Sequence, residues 1–181
     1  MELPNSFKDP GQDLTAPASQ VPAAAHACIT TRPAQAGDKS AIWRLYETAL
    51  RHHIEAIWGW DDAWQKAYFD KAFDASTTRV VEVDGHFAGY VQRDAGEPDD
   101  YLSMLVLRPE YRSLGVGARL LSTIQAESRR EGRGLYLRVF RTNLGARRFY
   151  EREGWSVVAD EGNFLLMRHA GSDMPAALRV R

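Results

Sequence analysis

The stretch Arg112-Ser113-Leu114-Gly115-Val116-Gly117-Ala118 places two residues without side chains behind an arginine and ahead of a run with helical apolar spacing. At Gly115 and Gly117 a bound group can come close to backbone N–H groups. A helix starting there points its positive dipole end at the same spot. The chemistry is capture of an anion such as a pyrophosphate, so a nucleotide-bearing cofactor is expected. A second set, Asn143, Ala146 and Tyr150, recurs at intervals of three and four and shares one helix face. It offers an amide, a small residue and a phenol. Arg51-His52-His53-Ile54-Glu55 supplies a carboxylate beside two imidazoles, and Trp58-Gly59-Trp60 supplies two indoles suited to a cation or to packing. Neither His52 nor His53 has further ligands at metal spacing, so no metal is expected.

These residues need elements to hold them. Cys28–Arg32 reads as a strand stopped by Pro33, and Asp38 as the N-cap of a helix through Leu50. Residues 54–59 read as an aromatic segment ending in the tryptophan turn, followed by a helix from about Asp61 to Phe73 with acidic residues at its start. Arg79–Val83 and Phe87–Gln92 read as strands joined at Asp84-Gly85, a hairpin signal. Tyr101–Leu107 is expected to be a strand buried on both faces. A helix from Gly115 to about Arg130 buries Val116, Leu120, Leu121 and Ile124 and is stopped by Gly132 and Gly134. The arginines at 129, 130 and 133 read as its solvated end. Strand Leu135–Phe140, helix Asn143–Arg152 and a hairpin of Trp155–Val158 with Phe164–Arg168 complete the order β-α-α-β-β-β-α-β-α-β-β.

Composition sets the frame. A chain of 181 residues with 44% apolar and 26% charged residues is expected to be one globular domain with a substantial core. A net charge of −1 gives no support for nucleic acid or a membrane surface as partner. The single cysteine, Cys28, excludes an intrachain disulfide framework and fits a reducing compartment. There is no apolar run of membrane-spanning length and no basic-then-apolar signal pattern, so a cytoplasmic location is expected. Residues 1–27, with four prolines, and residues 171–181 are expected to be tails around a folded unit of 28–170.

The glycine loop has three readings. A P-loop requires Lys-Ser/Thr after the second glycine, where this chain has Ala118-Arg119. A dinucleotide fingerprint requires a third glycine and a following parallel strand with an acidic end, and neither is apparent. The third is the acyl-CoA loop of the GNAT N-acetyltransferases, which the sequence resembles from about Ile29 to Arg168. Arg112, Gly115 and Gly117 match that family's pattern. Ser113 departs from it where glycine or asparagine is common, as does Leu114 where a basic residue is common. The helix with Asn143, Ala146 and Tyr150, continuing through Glu151-Arg152-Glu153-Gly154-Trp155, matches the family's second motif.

The resemblance implies an α+β, three-layer fold. Its central mixed, mostly antiparallel sheet has six to seven strands flanked by about four helices, and a splayed strand pair forms a CoA wedge. It implies acetyl-CoA as co-substrate. The pantetheine arm would lie along Leu105, Val106 and Leu107, with the pyrophosphate on the amides of Arg112, Ser113, Leu114, Gly115, Val116, Gly117 and Ala118. Asn143 and Ala146 would border the cofactor. A substrate amine would attack the acetyl group directly, a bulged-strand amide near Leu105 or Val106 would polarise the carbonyl, and Tyr150 would protonate the thiolate. A core tyrosine packed on Phe149 is the plain alternative for Tyr150. Glu55 is the candidate base or amine-binding anion, equally readable as a solvated helix carboxylate, with Glu82 and Ser103 behind it. Trp58 and Trp60 are candidate walls of the acceptor site. The expected partner is an amine, small molecule or protein, with a homodimer as an allowed assembly. The other functional class is a non-catalytic acyl-CoA sensor on the same fold.

Overall fold

The computed structural model describes residues 27–169. The expected tails lie outside these residues, except that Ala27 is buried beside Val81, Val83 and Val116 and so belongs to the core. The elements are β1 (Ile29–Pro33), α1 (Lys39–Trp58), α2 (Asp62–Ala72), β2 (Thr78–Val83), β3 (His86–Asp94) and β4 (Asp99–Leu107). They continue with α3 (Val116–Arg130), β5 (Gly134–Phe140), α4 (Leu144–Arg152), β6 (Trp155–Asp160) and β7 (Phe164–His169). One seven-stranded sheet has the order β1-β2-β3-β4-β5-β7-β6, antiparallel throughout except for the parallel pair β4–β5. This is the expected mixed α+β sheet with four helices.

Alternation along the strands divides the core in two. Val80, Tyr90 and Val106 face α1 and α2, burying Ile42, Leu45, Tyr46, Ile54 and Phe69. Val91, Leu102, Leu135, Leu137 and Val139 face the other way, against Leu121 and Ile124 of α3 and Tyr150 of α4. The sheet is thus the middle of three layers. Asp84 and Gly85 both have positive φ (50° and 77°), the backbone that a tight two-residue β2–β3 hairpin requires.

Three local expectations are corrected. α1 does not end at Leu50 but runs on to Trp58, because Leu50 and Ile54 continue its apolar stripe and no glycine or proline interrupts it before Gly59. Asp38 precedes this helix, yet its carboxylate accepts from the Gln35 N–H (2.8 Å) and binds Arg32 (2.7 Å) instead of capping it. β4 is not buried on both faces. Asp100, Leu102 and Val106 are buried, while Tyr101, Ser103, Met104 and Leu105 are only partly so. The open surface belongs to a cavity.

The β4–β5 pairing carries the site. It covers only Asp99↔Gly134 through Leu102↔Leu137, so from Ser103 onward β4 is paired with β3 alone. The β3–β4 register shifts where Arg93 faces Leu102 and Gln92 faces Met104, which leaves Ser103 as the extra, bulged residue. Charges fasten the closed end. Asp100 is fully buried and accepts from Ser128 Oγ (2.7 Å) and from Arg133 Nε (2.6 Å), and Asp99 pairs with Arg168. Arg133 is therefore no part of a solvated helix end.

Candidate active site

Where β4 and β5 part, a cavity of about 860 Å3 opens through the sheet. Leu105, Val139, Ala146 and Tyr150 line it from the α3–α4 side. Tyr46, Leu50, Ile54, Met104, Val106 and Phe140 line it from the α1–α2 side. The gap thus joins the two faces of the sheet, with Ser103 of the bulge on its wall.

Tyr150 reaches the wall from α4, which begins at an N-cap formed by Asn143: its side chain accepts from the Ala146 N–H at 3.0 Å. Tyr150 is 8% exposed, tilted against Phe149 and Trp155 with ring centroids 5.1 and 5.8 Å away. Burial pushes its phenol above the ordinary value of 10. Asn143 and Ala146 line the cavity beside it.

The glycine loop continues from the outer end of β4. Arg108 and Arg112 flank a single 3-10 turn at Pro109–Tyr111, and Arg112 Nε donates to the Leu107 carbonyl at 2.8 Å, tying the loop back to its strand. Gly115 has φ 77° and starts α3, a conformation that favours glycine. Gly117 serves packing, since a Cβ there would lie 3.2 Å from the Phe149 ring. Ser113, the departure from the family pattern, also has a positive φ of 59°. Leu114, like Leu107 and Tyr111, packs against the core cluster that contains Val81 and Val116, which accounts for an apolar residue at that position. Leu107 and the loop from Arg112 to Ala118 lie outside the cavity lining.

The remaining candidates divide. Trp58, exposed at the cavity mouth, leans on Phe140 and Phe164 at 6.2 and 6.0 Å. Trp60 lines the cavity too, held by its Nε1 donating to Asp62 (2.8 Å) and by Arg51 over its ring at 5.1 Å. Glu55 is exposed on α1 and outside the lining. Glu82 is bound to Arg32 at 2.8 Å, and the Ser103 hydroxyl donates to the Gln92 carbonyl at 3.2 Å. His53 stacks on Phe140 and shares a hydrogen bond with Thr142 Oγ1 at 2.9 Å.

Sequence reasoning missed much of the cavity wall on the α1–α2 side. Trp64 and Tyr68, stacked at 5.3 Å on the exposed face of α2, line the cavity. Their signal was two large aromatics four residues apart on a helix. Tyr101 and Arg138 were missed as well. Gly89 was also overlooked: a Cβ there would lie 2.1 Å from the Val106 carbonyl oxygen, so only glycine lets β3 approach β4 beside the gap. A lone glycine inside a strand is the sequence sign of such an approach.

The chain resembles known proteins throughout this framework. The solved structures that it resembles include the PaiA N-acetyltransferase of Thermoplasma acidophilum in complex with coenzyme A (16% identity, TM-score 0.65, covering 78% of this chain and 98% of that one). The ribosomal-protein-S18-alanine N-acetyltransferase of Escherichia coli matches at 17% identity and TM-score 0.58, covering 82% and 97%. The Salmonella typhimurium protein yncA, solved with its cofactor acetyl-CoA, matches at 22% and 0.55, covering 83% and 99%. No curated protein sequence matches the chain. At these identities the likeness establishes the fold, and it is the family model for the acetyltransferase (GNAT) family, matching residues 39–155, that identifies the lineage. The chain belongs to the GNAT acetyltransferase family.

Proposed function

We propose that this protein transfers the acetyl group of acetyl-CoA to a primary amine by direct attack in a ternary complex. The observation that carries the reading is the gap through the sheet, which lets two substrates meet from opposite faces. Acetyl-CoA is the family's co-substrate, and the residues present suit it. The β4 edge beyond Leu102 has no strand partner on the β5 side, Ala146 leaves room beside it, and Gly115 opens a fifteen-residue helix. In this reading Leu105, Val106 and Leu107 hold the pantetheine, and the amides from Arg112 to Ala118 hold the pyrophosphate.

When bound, acetyl-CoA supplies an acyl thioester. A β4 amide at Leu105 or Val106 donates to the carbonyl oxygen as charge develops there. The amine nitrogen forms the new N–C bond, the C–S bond breaks, and its electron pair goes to sulfur. Tyr150 gives that sulfur its proton, and the phenolate regains one, through water, from the amine. Glu55, outside the lining, has no part in this scheme, and Trp58 and Trp60 form the aromatic rim of the acceptor side.

Calorimetry with acetyl-CoA, followed by release of free thiol across an amine panel, tests the reading. One-to-one binding and amine-dependent thiol release are expected. Absence of binding overturns the proposal. Binding without amine-dependent release from any amine overturns the catalytic part and leaves an acyl-CoA sensor.

A further inference from the structure

The cavity adjoins a second chamber of about 340 Å3 under α1 and α2. Tyr46, Tyr68, Tyr101, Ser103 and Met104 line both spaces, so the chamber extends the acceptor side. Its floor carries Thr78 of β2 and Tyr90 of β3, 1% and 2% exposed, and neither hydroxyl has a hydrogen-bond partner among the described residues. Strand register explains why they are neighbours: Val80 pairs with Tyr90 and Thr78 with Gln92, so both side chains point to the α1–α2 face. Nearby polar groups are already engaged. Tyr46 donates to Gln65 at 3.4 Å, the Gln92 amide to Thr77 Oγ1 at 3.3 Å, and Ser103 to the Gln92 carbonyl. Two orphaned hydroxyls in one small chamber are a donor–acceptor pair offered to its occupant.

Charge narrows the class of that occupant. Arg138, the guanidinium of the larger cavity, is held by both oxygens of Glu161 at 2.6 and 3.2 Å, so it is committed and does not await a substrate carboxylate. The buried floor holds no carboxylate for a second ammonium. Asp94 is partly exposed, and Asp61 caps α2 through the Trp64 N–H at 2.7 Å. The walls between are flat and aromatic, formed by Tyr46, Tyr68, Tyr101 and Trp64.

We propose that the acceptor is a primary amine on a flat apolar body whose far end carries one uncharged hydroxyl, seated between Thr78 and Tyr90. This rests on the acetyl-transfer reading above and names its substrate class. Free amino acids lack a partner for their carboxylate, and a polyamine's inner ammonium, which Asp94 of the chamber lining could meet, has only donors and would leave both hydroxyl protons unpaired.

The test compares kcat/KM for 2-phenylethylamine, its 4-hydroxy analogue, spermidine and a free amino acid, with acetyl-CoA binding followed by calorimetry in parallel. The hydroxylated amine is expected to exceed 2-phenylethylamine by ~10-fold or more, the effect of pairing otherwise orphaned groups. Tyr90→Phe and Thr78→Val, each checked for an intact thermal transition, should bring that ratio toward one, chiefly by lowering turnover of the hydroxylated amine. Equal use of the two arylalkylamines by the unaltered protein overturns the proposal without recourse to the variants. So does preference for spermidine or the amino acid, or acetyl-CoA binding with no turnover of either arylalkylamine. Failure to bind acetyl-CoA brings down the acetyl-transfer reading itself, and this inference with it.

Discussion

Tyr150 illustrates how burial shapes an acid. A free phenol near pH 10 and a thiol near 8.5 differ little, but here burial alone raises the phenol further. Transfer to sulfur is thereby harder in the empty site, so a hydrogen bond that strengthens as negative charge builds on the sulfur must precede the proton's passage. Tyr150→Phe is expected to lower kcat by ~100-fold while acetyl-CoA affinity changes only a few-fold. Full turnover in that variant removes the role. Ser113 makes a different residue-scale case. A left-handed conformation costs a residue with a Cβ ~1–2 kcal/mol, and glycine returns about half of that as unfolded-state entropy. Ser113→Gly should therefore stabilise the fold by up to ~1 kcal/mol in urea titration, and a loss of stability would contradict the strain.

At the scale of elements, the edge geometry of β4 depends on its neighbours. Gly89→Ala would drive a methyl into the Val106 carbonyl, and backbone on both sides must shift. A cost of ~2–3 kcal/mol is expected, with weakened acetyl-CoA binding because the displaced residues form the gap. A variant as stable as the parent would show the strands to be freer than they look. Asp100 clasps the other end of the same strand. Asp100→Asn takes the buried charge from between Arg133 and Arg93 and should destabilise by ~3 kcal/mol, at the low end for a buried pair because Arg133 keeps Glu131 and Arg93 keeps Glu127.

The glycine loop, the face shared by Asn143, Ala146 and Tyr150, and the order of elements were legible in the sequence because each is a local pattern of spacing. Arg133 was not: its partner lies thirty-three residues away, and an arginine after a helix reads as solvated until that carboxylate is placed. The extent of α1 was obscured by an aromatic segment that resembled a turn. That Thr78 and Tyr90 line one chamber depends on strand register, which residue types alone do not reveal.

For the molecule as a whole, acidity should act through two imidazoles. His53 is pushed below its ordinary value by burial and then by His52, and His169 by burial and then by Arg129. The unfolded chain therefore takes up protons first as pH falls, so stability is fully present above ~6.5 and declines below it. Asp38 adds a later loss. Arg32 holds its carboxyl below the usual range, so that contribution persists until pH falls below ~4. Thermal melts from pH 8 to 5 should show a falling midpoint beginning near 6.5, and a flat profile would argue against the imidazole contribution.

The short β4–β5 seam also bears on how the protein opens. Among the described residues, the ladder that joins β1–β4 to β5–β7 has only four residue pairs, backed by the Asp99–Arg168 ion pair. The two halves are thus set up as separate cooperative units, each stitched internally by longer antiparallel ladders. In native-state hydrogen exchange, amides of Leu135–Leu137 should exchange through a sub-global opening, earlier than those at the β2–β3 centre. A ligand lying along the free edge of β4 would bridge both units, so its binding should merge two opening events into one.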